Sequence, residues 1–426
     1  MKSNINEKKF IWRKNKLSGK KKKLKFFELK KFLFIFPLLI IWALIYKRIF
    51  SIKRNHPNKK YLSQEKIDES TLNESMYNAA ERAKNFYNNA NKGILTKEIR
   101  GKVDYPKMSI VIPMCSIEDT IKRAVRSVQN QIFYDFEIIL IDDFSTDNTL
   151  KIVEEMSKED PRIKIVKNQK NLGLLQTRCI GTLLSKGQYI LPLDGDDLFL
   201  NCDTLSLLNQ EIDKLNVDII KFRAIETFNV HNPLSKYSMK LIPNDITNIT
   251  VLHQPDIGIF GEKRCIIWEQ CINAEFLKNA INLYGRERMS RYANYLEDCL
   301  IHFILYQTAK SLKLFLKIGI LRIRRGVSAT TSVKQVDLNR YYIYLYEVYF
   351  EFAQYVSWTR DSLIKNVIGL LNRNDFQETL NNTEAKNEIK DIVKKIIFNK
   401  NITNENKEAL INTSLQIKLF ENKNLF

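Results

Sequence analysis

Short apolar runs alternate with amphipathic stretches along the chain from Met108 onward. The runs MSIVIP, FEIILID, RIKIVK and QYILPL have the length and apolar content of strands, and the stretches between them repeat apolar residues at helical spacing. A fifth pair, TLSLLNQEIDKL and VDIIKFR, continues the alternation. Apolar strands that alternate with helices are typical of a sheet covered on both faces. The pattern predicts an α/β fold with a mostly parallel sheet and helices on both faces.

Two helix starts are marked by capping residues. The stretch STDNTLKIVEEMSK is expected to begin with Ser145 or Thr146 as its N-cap. Upstream, the capping box TLNE at 71–74 precedes apolar residues at helical spacing, which predicts a helix that ends by Gly93. This helix belongs to a polar segment, 51–105, that is interpreted as a stem.

The positive charge of the chain is concentrated at its N-terminus. The whole sequence has a formal net charge of +20, and residues 1–60 hold nineteen Lys and Arg against two acids, a net +17. The remaining residues are therefore nearly neutral. The basic stretch has no interleaved aromatic platform and no nucleic-acid motif, so nucleic-acid binding is set aside.

The uncharged run FLFIFPLLIIWALIY, residues 32–46, indicates a membrane segment. Ile49 and Phe50 extend it to about the length that a thin bilayer requires, with the stems of Lys47 and Arg48 snorkelling. Thirteen Lys and Arg precede the run, and this bias favours a cytoplasmic tail with a translocated body. The alternatives are a buried core helix, and a basic tail that lies on anionic lipid while the body of the protein faces the cytosol.

Aspartates follow two of the predicted strands. Asp142 and Asp143 end the second strand, and Asp194, Asp196 and Asp197 follow the fourth within PLDGDDLF. Each acid taken singly fits a helix cap or a turn residue. Because ligands bind beyond the carboxyl ends of the strands in such sheets, two acidic clusters at that edge favour a binding site.

The residues at this edge favour a divalent cation as the means of holding a phosphate ligand. The sequence contains neither a P-loop nor a G-x-G-x-x-G dinucleotide fingerprint after the first strand. Six cysteines without C-x-x-C and four scattered histidines form no zinc pattern. Carboxylate oxygens suit Mg²⁺ or Mn²⁺, and Asp194 and Asp196 lie on the same side of an extended segment.

Four motifs in this order resemble the family-2 glycosyltransferases, which have the GT-A fold. They are MSIVIPMCS, DDFSTDNT, NLGLLQTRCIG and LDGDD, and they cover about residues 108–200, with looser similarity to about 330. The resemblance implies transfer of a sugar from a nucleotide sugar with a bound metal ion. The departure of a nucleoside diphosphate builds negative charge, which a cation neutralises.

The resemblance also assigns residues to roles. It places the donor pocket at six positions: Pro113, Asp142, Asp143, Arg178, Asp194 and Gly195. Within it, Asp143 would accept from the nucleotide base and Arg178 would lie beside the same pocket. Asp194 would contact the ribose or the metal, and Asp196 would bind the metal that bridges the diphosphate.

A second acidic motif, Glu297-Asp298 in YANYLEDCLIHF, stands where the family carries its general base. Asp298 is the candidate and Glu297 its competitor, while an acidic first helical turn is the structural alternative. The chain departs from the family pattern at four positions: Cys115 and Ser116 replace Tyr-Asn, Phe144 replaces Gly, and Cys179 replaces Asn. The last two bear on the identity of the donor more than on activity.

These inferences predict a membrane-anchored, inverting glycosyltransferase that uses Mn²⁺ or Mg²⁺. The donor is expected to be a UDP-sugar, with a hexosyl or N-acetylhexosaminyl group moved to a hydroxyl of a glycan, protein or lipid. The alternative is an inactive GT-A domain that binds a glycan or a protein partner. The expected organisation is a basic tail (1–31), an anchor (32–50), the stem (51–105), the GT-A domain (106–330) and a helical extension (331–426).

The same topology predicts a location in the Golgi or ER membrane. A single-pass type II anchor would place the catalytic domain in a lumen that receives nucleotide sugars by transport. Five N-x-[ST] sequons add slight support for a lumenal body. They begin at Asn73, Asn248, Asn381, Asn401 and Asn412.

Overall fold

The computed structural model describes ten ranges of the chain. They are residues 104–227, 239–241, 252–253, 267, 269–291, 293, 297–323, 334–352, 360–399 and 402–422. The predicted tail and anchor lie outside these ranges, and so does the stem apart from residues 104 and 105. None of the helices described is both long enough and apolar enough to span a bilayer.

Strands and helices alternate through the first half of the described chain, as the apolar pattern predicted. The strands are β1 (Met108–Met114), β2 (Phe136–Asp142), β3 (Ile163–Lys167), β4 (Tyr189–Pro192), β5 (Leu198–Phe199), β6 (Ile219–Thr227), β7 (Met239–Leu241), β8 (Leu252–His253), β9 (Gln270–Asn273) and β10 (Ser311–Ile323). The helices in this part are α1 (Glu118–Gln129), α2 (Thr149–Glu159), α3 (Leu174–Leu184), α4 (Thr204–Leu215), α5 (Ala274–Tyr284), α6 (Arg286–Met289) and α7 (Asp298–Thr308).

The sheet is mixed rather than mostly parallel. Its strand order is β3-β2-β1-β4-β9-β6-β10-β5, with β7 beside β6 and β8 beside β10. The first four strands of this order pair in parallel, and so do β6 and β10. However, β9 lies between β4 and β6 and pairs antiparallel with both. The sequence pattern would have placed β4 and β6 side by side. The α/β class is therefore confirmed, and the parallel arrangement holds only for part of the sheet.

Helices cover both faces of this sheet. Along β1, Met108, Ile110 and Ile112 join one apolar core with α1, α2 and α4. Val111 points into a second core, to which α3, α5 and α7 contribute. Successive strand residues face opposite sides, so a strand buried on both faces is apolar at nearly every position.

Five further helices pack against the second core. They are α8 (Gln335–Phe352), α9 (Arg360–Leu371), α10 (Asn374–Leu380), α11 (Thr383–Ile397) and α12 (Asn404–Gln416). Tyr344, Ile389 and Leu410 are fully or almost fully buried in this core. Arg291, which follows α6, donates to Glu347 of α8 and so adds an ion pair to the apolar contact.

The carboxyl ends of β1 and β2 are held side by side. Met114 is the register partner of Asp142, and the amide of Asp143 donates to the carbonyl of Met114 at 2.8 Å. The loops that follow continue this pairing, because the amide of Ser116 donates to Ser145 Oγ at 2.9 Å. At the edge predicted to bind a ligand, the loops that follow β1 and β2 are thus hydrogen-bonded to each other.

This interlocking explains why the predicted N-cap of α2 is wrong. The helix begins at Thr149 with Asn148 at the N-cap position. Ser145 Oγ accepts from Ser116, and the amide of Thr146 donates to Ser116 Oγ at 3.1 Å. The two hydroxyl residues therefore connect the loops instead of capping the helix.

Candidate active site

Arg178 connects both acidic motifs that the sequence pointed to. It lies on α3, its side chain is buried, and its Nη2 donates to Asp194 in the turn after β4. Its Nη1 donates to Glu297 and to Asp298, at the start of α7. One guanidinium therefore brings together side chains separated by more than a hundred residues of sequence.

The charges around Arg178 fix its protonation state. Burial acts to lower the pKa of the guanidinium, but Asp298, Asp194 and Glu297 outweigh it and raise the pKa above its ordinary value. Arginine donates in a fixed planar fork, so it also sets the relative orientation of its partners. Arg178 thus acts as a permanently charged clamp between the two motifs.

Glu297 and Asp298 have different environments although they are adjacent. Burial, followed by the charge of Asp298, raises the pKa of Glu297 well above its usual range. Burial also raises the pKa of Asp298, while Arg178 opposes this effect. Each carboxyl also influences the other, and the charge of Asp298 adds to the burial that raises the pKa of Glu297. The Asp298 side chain is also the more exposed, at 14% against 6%.

Three carboxylates meet in the turn after β4. Asp194, Asp196 and Asp197 each offer an oxygen within 4.8 Å of the others. The amide of Asp197 donates to the carbonyl of Asp194 at 3.0 Å, which closes the turn. Burial and the charges of Asp196 and Asp194 raise the pKa of Asp197 well above its usual range. Clustered hard oxygens that repel one another fit a divalent cation such as Mg²⁺ or Mn²⁺.

Asp197 is a residue to which sequence reasoning gave no role. Its side chain is buried, and Oδ1 accepts from the amide of Ile323 at 2.9 Å, at the end of β10. The acidic run itself was the signal that could have indicated it. Asp197 therefore connects the Asp-rich turn after β4 to the end of β10, which is not a neighbour of β4 in the sheet.

Gly195 lets this turn approach the end of β1 closely. A Cβ at this position would lie 2.3 Å from Ile117 Cδ1 and 3.3 Å from the carbonyl oxygen of Pro113. A side chain here would require the end of the Ile117 side chain to move and would press on the Pro113 carbonyl. Pro113 and Gly195, both predicted at the donor pocket, are thus in the same place in the fold.

Asp143 is engaged by the loop that precedes α3. Its Oδ1 accepts from Asn168 Nδ2 at 2.9 Å and from the amide of Leu172 at 2.8 Å, and its Oδ2 accepts from the amide of Gly173 at 2.9 Å. Three of about four acceptor positions on this carboxylate are therefore occupied. Asp142 is also buried, and the amide of Ser145 lies 3.4 Å from both of its oxygens.

The two cysteines at departures from the family pattern differ in exposure. Cys179 is buried in the second core, and burial raises the pKa of its thiol to about 12, so it packs as an apolar residue. Cys115 is exposed and accepts from Asn171 Nδ2 at 3.4 Å. Burial of part of its thiol, followed by Asp143 and Asp142, raises its pKa.

Comparison with known proteins identifies the domain that carries this edge. Residues 109–262 match the family described as Glycosyl transferase family 2. An uncharacterized glycosyltransferase of Haemophilus influenzae is 40% identical over 93 residues, which is 22% of this chain and 29% of the relative. The GalNAc(5)-diNAcBac-PP-undecaprenol beta-1,3-glucosyltransferase of Campylobacter jejuni is 36% identical over 115 residues, 25% of this chain and 34% of the relative.

The similarity is confined to part of each protein. A chondroitin synthase of Escherichia coli is 38% identical over 109 residues, 26% of this chain and 16% of that protein. The chain spans about a third of the length of the first curated relatives it matches. Among solved structures, Staphylococcus aureus TarS 1–349 in complex with UDP-GlcNAc has a TM-score of 0.48 at 18% identity, covering 74% of this chain and 89% of that one.

The matched region contains the clamp and the Asp-rich turn. Asp143, Arg178 and Asp194 all lie within residues 109–262, whereas Glu297 and Asp298 lie beyond them. The mixed α/β sheet around these residues is the GT-A-like arrangement that the motifs implied. The match of residues 109–262 to glycosyl transferase family 2 agrees with the family that the order of the motifs predicted.

Proposed function

We propose that this protein is an inverting glycosyltransferase that moves a sugar from a UDP-sugar to a hydroxyl group of a glycan, protein or lipid. The observation that carries the proposal is the Arg178 clamp, which joins the Asp-rich turn to the Glu297-Asp298 pair. A metal site for the leaving diphosphate and a base for the acceptor would then face one cleft. Four relatives whose names describe them as glycosyltransferases or polysaccharide synthases support assignment to the glycosyltransferases.

Inversion at the sugar requires a single displacement. The acceptor oxygen bonds to the anomeric carbon, the bond from that carbon to the diphosphate oxygen breaks, and the hydroxyl proton passes to a carboxylate. Asp298 is the better candidate for this carboxylate, because its side chain is the more exposed of the two and burial raises the pKa of Glu297 well above its usual range. Arg178 keeps Asp298 oriented and favours its ionised form.

Asp194 and Asp196 are the residues that would hold a divalent cation, with Asp197 positioned beside them. When bound, such a cation neutralises charge on the departing diphosphate. Arg178 contacts Asp194 directly, so it also limits where the carboxylate of Asp194 can point. The acids are present at each motif, which supports an active enzyme over an inactive binding domain.

A nucleotide panel tests the donor assignment. The purified protein would be titrated with UDP, GDP, ADP and CMP by calorimetry, in Mn²⁺, in Mg²⁺ and in EDTA. The proposal expects UDP to bind most tightly and to lose affinity in EDTA. Equal affinity for all four nucleotides, or binding that is indifferent to EDTA, would contradict the donor or the metal assignment respectively.

The membrane location is part of the proposal and rests on the sequence alone. The apolar segment 32–50 and its basic flank favour a type II anchor with the body in the Golgi or ER lumen. Glycan occupancy at Asn248 in the native membrane tests the orientation, since that sequon lies in the expected lumenal body. An unmodified and protease-accessible body on the cytosolic side would favour the peripheral alternative.

A further inference from the structure

Phe144 lies at the ligand-binding edge in an unusual backbone conformation. It directly follows Asp143, its φ is 65°, and 52% of its side chain is exposed. A left-handed φ is a genuine outlier for a bulky residue, and such residues persist only where the surroundings enforce them. A glycine would adopt this conformation without strain. The sequence therefore has a phenylalanine at a position whose backbone conformation favours glycine.

The neighbouring loop contains a second residue of this kind. Ser116 has a φ of 49°, and its amide donates to Ser145 Oγ, so the two strained residues lie on interlocked loops. Among the described residues, two of the four non-glycine residues with positive φ therefore fall at this edge. The Asp143 amide bond to Met114 fixes the chain immediately before Phe144. The backbone is held on both sides, and the ring belongs to neither apolar core.

A single exposed aromatic side chain is ordinary on a protein surface. What distinguishes Phe144 is the combination of exposure, enforced strain and location beside Asp142 and Asp143, at the edge where sheets of this kind bind their ligands. The loops on which it lies also carry the hydroxyl groups of Ser116, Ser145 and Thr146, which take part in the hydrogen bonds that connect the two loops. This setting suits a flat ligand group that has an apolar face and polar edges, rather than the broad apolar surface of a protein partner.

We propose that the Phe144 ring is the stacking platform for the base of the nucleotide donor. This inference rests on the proposed function, which supplies the nucleotide. Base–aromatic stacking depends on the π-face and tolerates different bases. Phe144 therefore contributes affinity for any nucleotide over a base-free diphosphate, while recognition of the base edge falls to other groups. The retained strain is the consequence of presenting the ring at this position.

Three variants of the full-length chain test the platform. Phe144→Leu removes the ring and keeps a bulky residue, Phe144→Gly removes both ring and strain, and Phe144→Tyr keeps the ring. UDP with Mn²⁺ is the probe, measured by calorimetry. We expect the Leu and Gly variants to weaken the Kd about 5- to 140-fold, the effect of losing one stacked base. The Tyr variant should bind within about twofold of the parent, because stacking is preserved.

Two controls separate stacking from a general disturbance of the loop. Inorganic pyrophosphate with Mn²⁺ has no base, so its affinity should be the same in the parent and in Phe144→Gly. Phe398→Leu removes an aromatic ring of similar exposure, 54%, at the end of α11, and should leave UDP binding unchanged. The melting temperature of Phe144→Gly should not fall, since the change relieves the strained φ.

The outcomes distinguish this inference from the proposed function. Unchanged UDP affinity in Phe144→Leu and Phe144→Gly, in a protein that binds UDP, overturns the platform and leaves the function standing. Equal losses for UDP and for pyrophosphate would also overturn it, since the ring would then only shape the loop. A parent protein that binds neither UDP nor any other nucleotide would overturn the function and the platform together.

Discussion

Arg178 and Asp194 belong to different elements of the fold, yet the guanidinium of one donates directly to the carboxylate of the other. The same guanidinium also reaches Glu297 and Asp298. Breaking a buried ion pair by removing one partner leaves uncompensated charge, at a cost of about 3–5 kcal/mol. The clamp is therefore expected to matter for folding as well as for chemistry.

Replacing Arg178 by Ala should lower the free energy of unfolding by about that amount near neutral pH. Three carboxylates would lose their shared cation, and protonation at lower pH removes the uncompensated negative charge, so the loss should shrink as the pH falls. Urea unfolding at several pH values measures this. Arg373→Ala is the control, because its pair with Asp375 is partly exposed and should contribute at most about 1 kcal/mol. Equal small losses in both variants would mean that the clamp contributes little.

The adjacent acids should respond differently to neutralisation. Asp298→Asn cannot accept the acceptor proton, so transfer should fall about 10²–10⁴-fold while UDP affinity is retained. Glu297→Gln leaves the Asp298 carboxylate in place and should retain most of the transfer rate. A transfer assay combined with UDP calorimetry on both variants measures this. A larger loss in Glu297→Gln than in Asp298→Asn would move the role of base to Glu297.

The pH dependence of transfer should have an acid limb set by Asp298. The carboxylate accepts the proton only when ionised, and burial raises its pKa above the ordinary value. Activity should therefore rise with pH through that raised pKa. The contribution of Glu297 to the free energy of unfolding falls with pH, whereas activity rises. Burial raises the pKa of Glu297 in the folded state, so this contribution is fully present below the unfolded pKa and is lost as the pH rises through the folded pKa. Glu297→Gln should gain melting temperature relative to the parent as the pH increases.

Asp196→Asn should weaken Mn²⁺ binding and remove most of the turnover without unfolding the chain. The position is partly exposed in a turn, so an amide of the same size fits. Titration of Mn²⁺ by calorimetry, with Asp391→Asn on the exposed face of α11 as control, measures the effect. Normal activity and a normal response to Mn²⁺ in Asp196→Asn would contradict the metal assignment.

Removal of residues 1–60 should give a soluble protein with unchanged chemistry. That stretch contains the basic tail and the apolar run, whereas the core residues in the described part of the chain begin at Met108. Gel filtration and the transfer assay on the shortened chain measure this. Aggregation or loss of folding would show that the apolar run belongs to the body of the protein.

The first four strands of the chain were the most predictable part of the fold. β1, β2 and β4 are fully buried runs, so their apolar content alone indicated them. β9 was not anticipated, because it is four residues long and is defined by antiparallel pairing with β4 and β6, which local pattern does not encode. Its insertion is what makes the sheet mixed.

The acids of the site could be named from sequence, but their connections could not. Asp194 and Asp298 belong to recognisable motifs, whereas the Arg178 contacts that join them span 16 and 120 residues. Likewise Ser145 fits an N-cap by its type, and only the approach of Ser116 shows why it does not act as one. Long-range side-chain contacts depend on how the chain packs rather than on local propensity.

Turnover of UDP-sugars tests the central claim most directly. The full-length protein would be incubated with Mn²⁺ and a panel of UDP-hexoses and UDP-N-acetylhexosamines, and release of UDP would be measured beside Asp298→Asn. We expect at least one UDP-sugar to be turned over in a reaction that EDTA stops and that falls about 10²–10⁴-fold in the variant. Binding of UDP-sugars without turnover, or equal rates in parent and variant, would contradict the claim that this is a glycosyltransferase with Asp298 as its base.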